Sequence, residues 1–141
     1  NKVREKFVLE EIDLIVSPAV GGIVVGSGVG EELGIKSIFT ERVEGDFNLR
    51  RGFEIKDGDK VLVIEDVVTT GKSSKECFEC IRAFNGVIIG EACLIDRSNK
   101  ENNLGVTLVK LAKINAPLFS ANEIPEELRN IEPVVPGSRK I

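Results

Sequence analysis

Short apolar runs alternate with helical patterns along this chain. A strand with one wet face alternates apolar and polar residues, whereas a run that is apolar throughout is typical of a parallel sheet covered on both sides. Five such runs are predicted to be buried strands: residues 14–16, 37–39, 61–64, 87–89 and 92–95.

Two helices are predicted between these strands. Residues 22–33 place valines, Ile23 and Leu33 at helical spacing, and residues 73–84 place Cys77, Ile81 and Phe84 on one face. Ser73 and Glu76 would form a capping box at the start of the second helix. Strands that alternate with helices predict an α/β fold, with a mostly parallel, doubly wound sheet flanked by helices on both faces.

Polar segments are predicted to be loops. Residues 42–49 are charged and have Gly45 near their centre, which suggests a mobile loop. Asp57-Gly58-Asp59 predicts a tight turn, residues 99–105 a polar loop, and the proline-containing residues 125–141 a tail over the surface.

Length and charge restrict the number of domains and the class of protein. A chain of 141 residues, with 42% hydrophobic and 30% charged residues, fits a single globular domain over residues 1–141. A formal charge of -4 argues against a broad nucleic-acid surface. There is no apolar run of the ~20 residues that a membrane span needs, and the first residues are too charged for a signal peptide, so a cytoplasmic protein is expected.

The residue types present are unusual. Cys77, Cys80 and Cys93 occur without any histidine, which disfavours a zinc site and predicts reduced cysteines in the core. His, Met, Trp, Tyr and Gln are all absent, which suggests a restricted alphabet or a simplified or designed sequence. Asn1 falls within what reads as the middle of a helix, so an N-terminal part is expected to be missing.

The candidate chemistry follows the run 61–64. Glu65 and Asp66 are adjacent carboxylates that are expected to emerge where this strand ends, at the sheet edge where open α/β proteins bind ligands. The segment from Thr69 to Ser73 offers hydroxyls, a glycine and a helix N-terminus, which together suit an anion. Carboxylates suit ribose hydroxyls and the anion cradle suits a 5′-phosphate, so one phosphorylated ribose would satisfy both.

Two other nucleotide motifs fail on spacing. A triphosphate P-loop that ends in Gly71-Lys72-Ser73 would need glycine at position 66, which is Asp66. The run from Gly26 to Gly30 lacks the third glycine spacing of a dinucleotide fingerprint and falls in a predicted helix. A merely solvated loop is the remaining alternative.

The segment EDVVTTG resembles the signature of the type I phosphoribosyltransferases, which use 5-phosphoribosyl 1-diphosphate (PRPP). Other segments resemble the orotate-specific members of that family. Residues 17–23 resemble their pyrophosphate loop, residues 39–55 their catalytic-loop region, residues 94–98 their base-recognition segment and residues 136–140 their C-terminal ending. The resemblance implies the type I phosphoribosyltransferase fold and a glycosyltransferase that makes orotidine 5′-phosphate.

The resemblance also implies roles for individual residues. Glu65 and Asp66 would bind the ribose hydroxyls, with Mg²⁺ bridging to the diphosphate, and Arg42 would reach the diphosphate, usually in the partner subunit of a homodimer. Thr69 and Arg97 would contact orotate. The remaining PRPP contacts would come from Ala19, Val20, Gly21, Val67, Val68, Thr69, Thr70, Gly71, Lys72 and Ser73.

Several features depart from the family pattern. A hood segment that precedes this region in the family is expected to be missing, Asp46 stands where the subgroup usually has lysine, and Lys72 stands where the family often has glycine. PRPP binding is therefore expected to be better preserved than turnover. The alternatives are a non-catalytic PRPP-binding module on the same fold and, less favoured by Arg50-Arg51-Gly52-Phe53, a purine-type transferase.

Overall fold

The computed structural model describes residues 2–98, 104–117, 119–120, 122–132 and 134. Its elements, in chain order, are α1 (Lys2–Lys6), β1 (Leu14–Pro18), α2 (Gly21–Leu33), β2 (Ser37–Val43), β3 (Asp46–Leu49), β4 (Lys60–Val68), α3 (Lys72–Ala83), β5 (Val87–Asp96) and β6 (Leu108–Lys113). Two short 3₁₀ turns, Leu9–Glu11 and Glu126–Leu128, accompany them.

The six strands form one sheet in the order β3-β2-β1-β4-β5-β6. All neighbouring strands are parallel except β2 and β3, which form an antiparallel hairpin. The central strands are buried on both faces because α2 and α3 pack on opposite sides, which explains their continuous apolar runs. The predicted α/β fold with a mostly parallel sheet is confirmed.

The two faces of the sheet carry separate apolar clusters. On one face, Cys77, Phe78 and Ile81 of α3 pack on Val61 and Val63 of β4 and their neighbours. On the other face, Val25 and Val29 of α2 pack around Leu62, Ile64 and Ala92, together with Val3 and Phe7 at the N-terminal end. Cys77, Cys80 and Cys93 are free and buried, as the sequence predicted.

The prediction of a mobile loop at residues 42–49 is wrong. These residues belong to the β2–β3 hairpin, in which Arg42 pairs with Phe47 and Val43 with Asp46. The turn consists of Glu44 and Gly45, which both have positive φ angles of 53° and 103°. A two-residue turn with positive φ matches the right-handed twist of a hairpin. The charged residues of this segment suggested a loop, although β3 is a strand with one buried residue, Phe47.

Two strand predictions also need correction. Residues 87–89 and 92–95 are not separate strands, because β5 runs without a break through Gly90 and the buried Glu91. An acidic residue in an apolar run predicts a strand end, but Glu91 is satisfied in part by a hydrogen bond from Ser74. The edge strand β6 was not predicted at all, since its lysines and exposed residues weaken the apolar pattern.

The predicted capping box does not form. Both predicted helices are present, but α3 begins after Gly71, whose φ of 73° lies in the left-handed region, and this N-cap residue makes no side-chain capping hydrogen bond. Glu76 instead contacts Arg42. The turn at Asp57-Gly58 is confirmed.

Part of the polar loop at 99–105 and nearly half of the predicted tail at 125–141 lie outside the described residues, as does the segment 136–140. Among the described residues of the tail, Glu126–Leu128 form an exposed turn. Within the described ranges, no helix has the length and apolar character that crossing a bilayer requires.

Candidate functional site

The acid pair lies where β4 extends beyond its neighbour β1. Pairing between these two strands extends to Val16 and Val63, whereas β4 continues along β5 as far as Val68, which pairs with Asp96. The strand therefore does not end before Glu65 and Asp66, contrary to the prediction. Because the acid pair lies beyond the paired part of β1, it reaches a cleft at the carboxyl edge of the sheet.

The prediction that Glu65 emerges into solvent is wrong. It is buried, with 6% of its surface exposed, and its Oε1 accepts a hydrogen bond of 3.1 Å from the backbone N–H of Asp66. Burial raises the pKa of Glu65 to about 8, and the neighbouring Asp66 and Glu91 add to the rise. The carboxyl group of Glu65 is therefore largely protonated near neutral pH, which removes the repulsion between the two acids.

Asp66 faces the loop between β1 and α2. Its Oδ1 accepts a hydrogen bond of 2.8 Å from the backbone N–H of Val67. A Cβ atom added at Gly21 would lie 2.0 Å from Asp66 Oδ2, so only glycine leaves room for this carboxylate. The peptide bond between Ala19 and Val20 in the same loop is cis. The loop backbone thus forms the wall opposite the acid pair.

A turn and a helix N-terminus follow β4. Thr69, Thr70 and Gly71 form a bend, and Gly71 is the N-cap of α3. The hydroxyl of Thr70 accepts a 3.3 Å hydrogen bond from the backbone N–H of Lys72. The first N–H groups of an α-helix have no partner within the helix, so this end of α3 can donate to an anion.

The β2–β3 hairpin provides the third wall. Arg42 donates hydrogen bonds to the carbonyl of Gly45 and to the carboxylate of Glu76 on α3. Its guanidinium carbon also lies 4.2 Å from the centre of the Phe47 ring. These contacts join the hairpin to α3 across one end of the cleft.

Together these elements enclose a cleft of about 550 Å³. Its lining consists of Pro18, Ala19, Val20, Gly21, Arg42, Phe47, Glu65, Asp66, Val67, Val68, Thr69, Thr70, Gly71, Lys72, Ser73 and Ser74. Its lining thus combines the acid pair with the hydroxyls of residues 69–74, the N-terminus of α3 and two cations, Arg42 and Lys72. This arrangement can bind a ligand that has both hydroxyl and anionic groups.

Comparisons with known proteins give the family. The profile of the phosphoribosyl transferase domain matches residues 2–127. The chain is 50% identical over 133 residues to the orotate phosphoribosyltransferase of Sphingopyxis alaskensis and 48% identical over 126 residues to that of Maricaulis maris. These matches cover 94% and 89% of this chain. The chain belongs to the orotate phosphoribosyltransferase family.

The same matches cover 68% and 65% of those relatives, so the chain spans about two thirds of their length.

Solved structures agree on the fold. Adenine phosphoribosyltransferase from Rhodothermus marinus aligns with a TM-score of 0.66 and 19% identity over 80% of this chain and 76% of its own. Orotate phosphoribosyltransferase from Aeropyrum pernix aligns with a TM-score of 0.61 and 22% identity over 75% of this chain and 63% of its own.

Most of the residues predicted from the resemblance to the orotate phosphoribosyltransferase family meet in this cleft. The predicted residues that line it are Ala19, Val20, Gly21, Arg42, Glu65, Asp66, Val67, Val68, Thr69, Thr70, Gly71, Lys72 and Ser73. Arg97 is half-buried and is not among the lining residues, although its backbone N–H donates a 2.7 Å hydrogen bond to the carbonyl of Val68. Its contact with orotate stays a prediction.

Arg51 lies apart from the residues that line the cleft. It makes two hydrogen bonds to Glu41, of 2.8 Å and 2.9 Å. The pairing with Arg51 contributes to a lowered pKa of Glu41. Arg51 therefore forms an ion pair with Glu41 of β2 and is not among the residues that line the cleft.

Sequence reasoning missed the buried layer behind the cradle. Ser74 Oγ donates a hydrogen bond of 2.8 Å to Oε1 of Glu91, which is fully buried in β5. Burial raises the pKa of Glu91 to about 7, although the hydrogen bond from Ser74 opposes the rise. An acidic residue within an apolar strand is the signal that could have identified this group, because such a residue needs a partner.

Proposed function

We propose that this chain transfers the 5-phosphoribosyl group from PRPP to orotate, which gives orotidine 5′-phosphate and diphosphate. The observation that carries the proposal is the cleft itself, in which an acid pair and an anion-binding helix end follow one another on a single strand–turn–helix unit. Family membership supports the same reaction, since the similar proteins are named for it.

Each part of the cleft has a part of the substrate to bind. Asp66 and Glu65 accept hydrogen bonds from the ribose 2′- and 3′-hydroxyls. The N-terminus of α3, with Thr69, Thr70 and Ser73, binds the 5′-phosphate through N–H and hydroxyl donors. The loop containing Ala19, Val20 and Gly21 faces the diphosphate, and Thr69 and Arg97 bind orotate, whose carboxylate can pair with a guanidinium in two hydrogen bonds.

The proposed chemistry is a displacement at the anomeric carbon. The bond to the diphosphate breaks as a nitrogen of orotate approaches, through a state in which positive charge develops on the ribose ring. The residues of this chain would hold the two reactants in contact and stabilise charge on the leaving group. Arg42 would donate to the departing diphosphate, from this subunit or its partner.

Magnesium is the cofactor proposed for this reaction. Mg²⁺ keeps several waters and is usually bound by one or two carboxylates together with substrate phosphates. The half-buried Asp66 fits that description, whereas Glu65 would have to lose its proton to join it. Bound to PRPP, the ion would neutralise negative charge on the diphosphate. The described residues contain no cluster of three or more candidate ligands, so the substrate would have to complete the coordination.

We also propose that the chain acts as a cytoplasmic homodimer. Val24 on the outer side of α2 is 79% exposed, and Leu111 of β6 is 62% exposed, so apolar surface is available for a second copy. Sedimentation equilibrium would give the mass of two chains if this is correct, and the mass of one chain would exclude it.

One assay tests the proposed reaction. Protein is mixed with orotate and PRPP in the presence of Mg²⁺, and the loss of orotate is followed by its ultraviolet absorbance. Loss with orotate, but not with adenine, hypoxanthine or uracil, is the expected result. Consumption of a purine instead would replace the proposal with a purine-type transferase.

A second candidate function is a PRPP-binding module without turnover. The observation in its favour is that residues 43–48 of the hairpin contain no basic residue and that Asp46 is exposed there. Binding of PRPP without loss of orotate would support this alternative.

A further inference from the structure

Three charged side chains contact one another at the rim of the cleft. Glu76 accepts a hydrogen bond from Arg42 through Oε2, and its Oε1 lies 3.8 Å from Nζ of Lys72. Arg42 belongs to the hairpin and the other two residues to the first turns of α3. One carboxylate thus joins two cations that come from different elements.

The guanidinium of Arg42 is held on three sides. Glu76 and the carbonyl of Gly45 accept two of its hydrogen bonds, and the ring of Phe47 lies against its face. A guanidinium has five N–H donors, so donors remain for another anion while these contacts persist. Arg42 lines the cleft, so those donors are within it or at its edge.

Lys72 is less constrained. Its side chain is 80% exposed, compared with 32% for Arg42 and 28% for Glu76. A long side chain with one weak ion pair can move toward a ligand at little cost. Its attachment at the first residue of α3 keeps the ammonium group near the helix N-terminus, where anions are already favoured.

The charges of the cleft show why two such cations matter. Among the described residues that line it, Arg42 and Lys72 are the two basic side chains, and they face the two acids Glu65 and Asp66. Glu76 contacts both cations but is not among the residues that line the cleft. Arg42 lowers the pKa of Glu76, which keeps this carboxylate ionised.

We propose that Arg42 and Lys72 form a clamp for a phosphoryl anion, and that Glu76 is the positioning residue that sets the distance between them. Lys72 of α3 thus adds a second cation to Arg42, the cation that the hairpin supplies to the cleft lining. The assignment of the anion to the diphosphate or the 5′-phosphate end of PRPP rests on the proposed function. The claim that the clamp binds phosphoryl anions is independent of the proposed function.

Titration calorimetry of the full chain tests the clamp with two ligands, diphosphate with Mg²⁺ and ribose 5-phosphate. Lys72→Gln is expected to weaken at least one of them about fivefold, the upper range for an exposed charge pair, and Lys72→Arg should restore it. Glu76→Gln should weaken the same ligand about threefold, since Arg42 then loses an anchor. In an Arg42→Gln background the effect of Glu76→Gln should largely disappear.

Lys75→Gln and Glu79→Gln are matched controls, because both residues are exposed on the same helix and neither lines the cleft. Both should bind like the unsubstituted protein. If Lys72→Gln or Glu76→Gln behaves like its control, or if Glu76→Gln tightens binding, the clamp is rejected. A protein that binds these anions through Lys72 but consumes no orotate would instead reject the proposed function and leave the clamp in place.

Discussion

At the scale of single residues, Gly21 is required because a side chain at this position would collide with the Asp66 carboxylate. A methyl group at this position would lie 2.0 Å from Asp66 Oδ2. We therefore expect Gly21→Ala to displace the carboxylate and to weaken PRPP binding by about tenfold or more, since small misplacements at a site are costly. Gly28→Ala is the matched control, because a methyl group there meets nothing within 4 Å. Calorimetry with PRPP and Mg²⁺ compares the two variants; equal affinities would contradict this account of Gly21.

Glu91 gives a prediction for the pH dependence of stability. Its pKa rises from 4.5 to about 7 on folding, so the folded state binds more protons than the unfolded state between these values. The stabilising contribution of protonated Glu91 is complete below about pH 4.5 and is lost as the pH rises through the folded pKa. We expect Glu91→Gln, which keeps an acceptor for Ser74, to reduce this loss by about 2–3 kcal/mol.

Urea denaturation at pH 4.5 and pH 8.5 measures how much free energy of unfolding each protein loses between these pH values. The unsubstituted protein should lose free energy of unfolding between these two values, with Glu65 contributing because its pKa is also raised. Glu91→Gln should lose less, and Glu79→Gln, a change at an exposed residue, should lose as much as the unsubstituted protein. An unchanged loss in Glu91→Gln would show that Glu91 is ionised in the folded state at neutral pH.

The sequence identified the chemically important residues because their types and order are unusual. Two adjacent acids after an apolar run are costly to bury, and the hydroxyls and glycine that follow them suit an anion at a helix N-terminus. The raised pKa of Glu65 could not be predicted, since its burial depends on elements distant in sequence, such as α2, where a Cβ atom at Gly22 would lie 3.2 Å from Glu65 Oε1. The capping role predicted for Glu76 is wrong for a similar reason: a local capping box competes with an ion pair to Arg42, which is distant in sequence.

At the scale of elements, the β2–β3 hairpin depends on its turn. Glu44 has a φ of 53°, which is unfavourable for glutamate, and Gly45 has a φ of 103°. Asparagine followed by glycine is the preferred pair in a two-residue hairpin turn. We expect Glu44→Asn to raise the free energy of unfolding by about 0.5 kcal/mol and Gly45→Ala to lower it by about 1–2 kcal/mol. Urea denaturation measures both, and a stable Gly45→Ala protein would argue against this turn.

The helices and central strands were predictable because each shows its own pattern, a helical period or a continuous apolar run, within one short segment. The hairpin and β6 were not, since edge strands tolerate charge and need a neighbouring strand to define them. For β5, Gly90 and Glu91 interrupt the apolar pattern and suggested two separate strands. Pairing with β4 on one side and β6 on the other maintains a single strand.

At the scale of the whole molecule, the site arises from strand order. The loop after β1, the cradle after β4 and the hairpin after β2 meet because β2, β1 and β4 are consecutive in the sheet. Alternating strands and helices predicted a parallel sheet, and therefore a ligand edge, but not this order. The resemblance to a family supplied the ligand, and the contacts of Arg42 and Glu76 came only from the folded chain.

The central claim is that this cleft binds PRPP. Its most direct test is a calorimetric titration of the full chain with PRPP in the presence of Mg²⁺, repeated with Asp66→Asn. The account predicts saturable binding with one PRPP per chain, weakened about tenfold by the substitution because a charged acceptor for the ribose hydroxyls is lost. Absence of binding by the unsubstituted protein, or equal binding by Asp66→Asn, would contradict it.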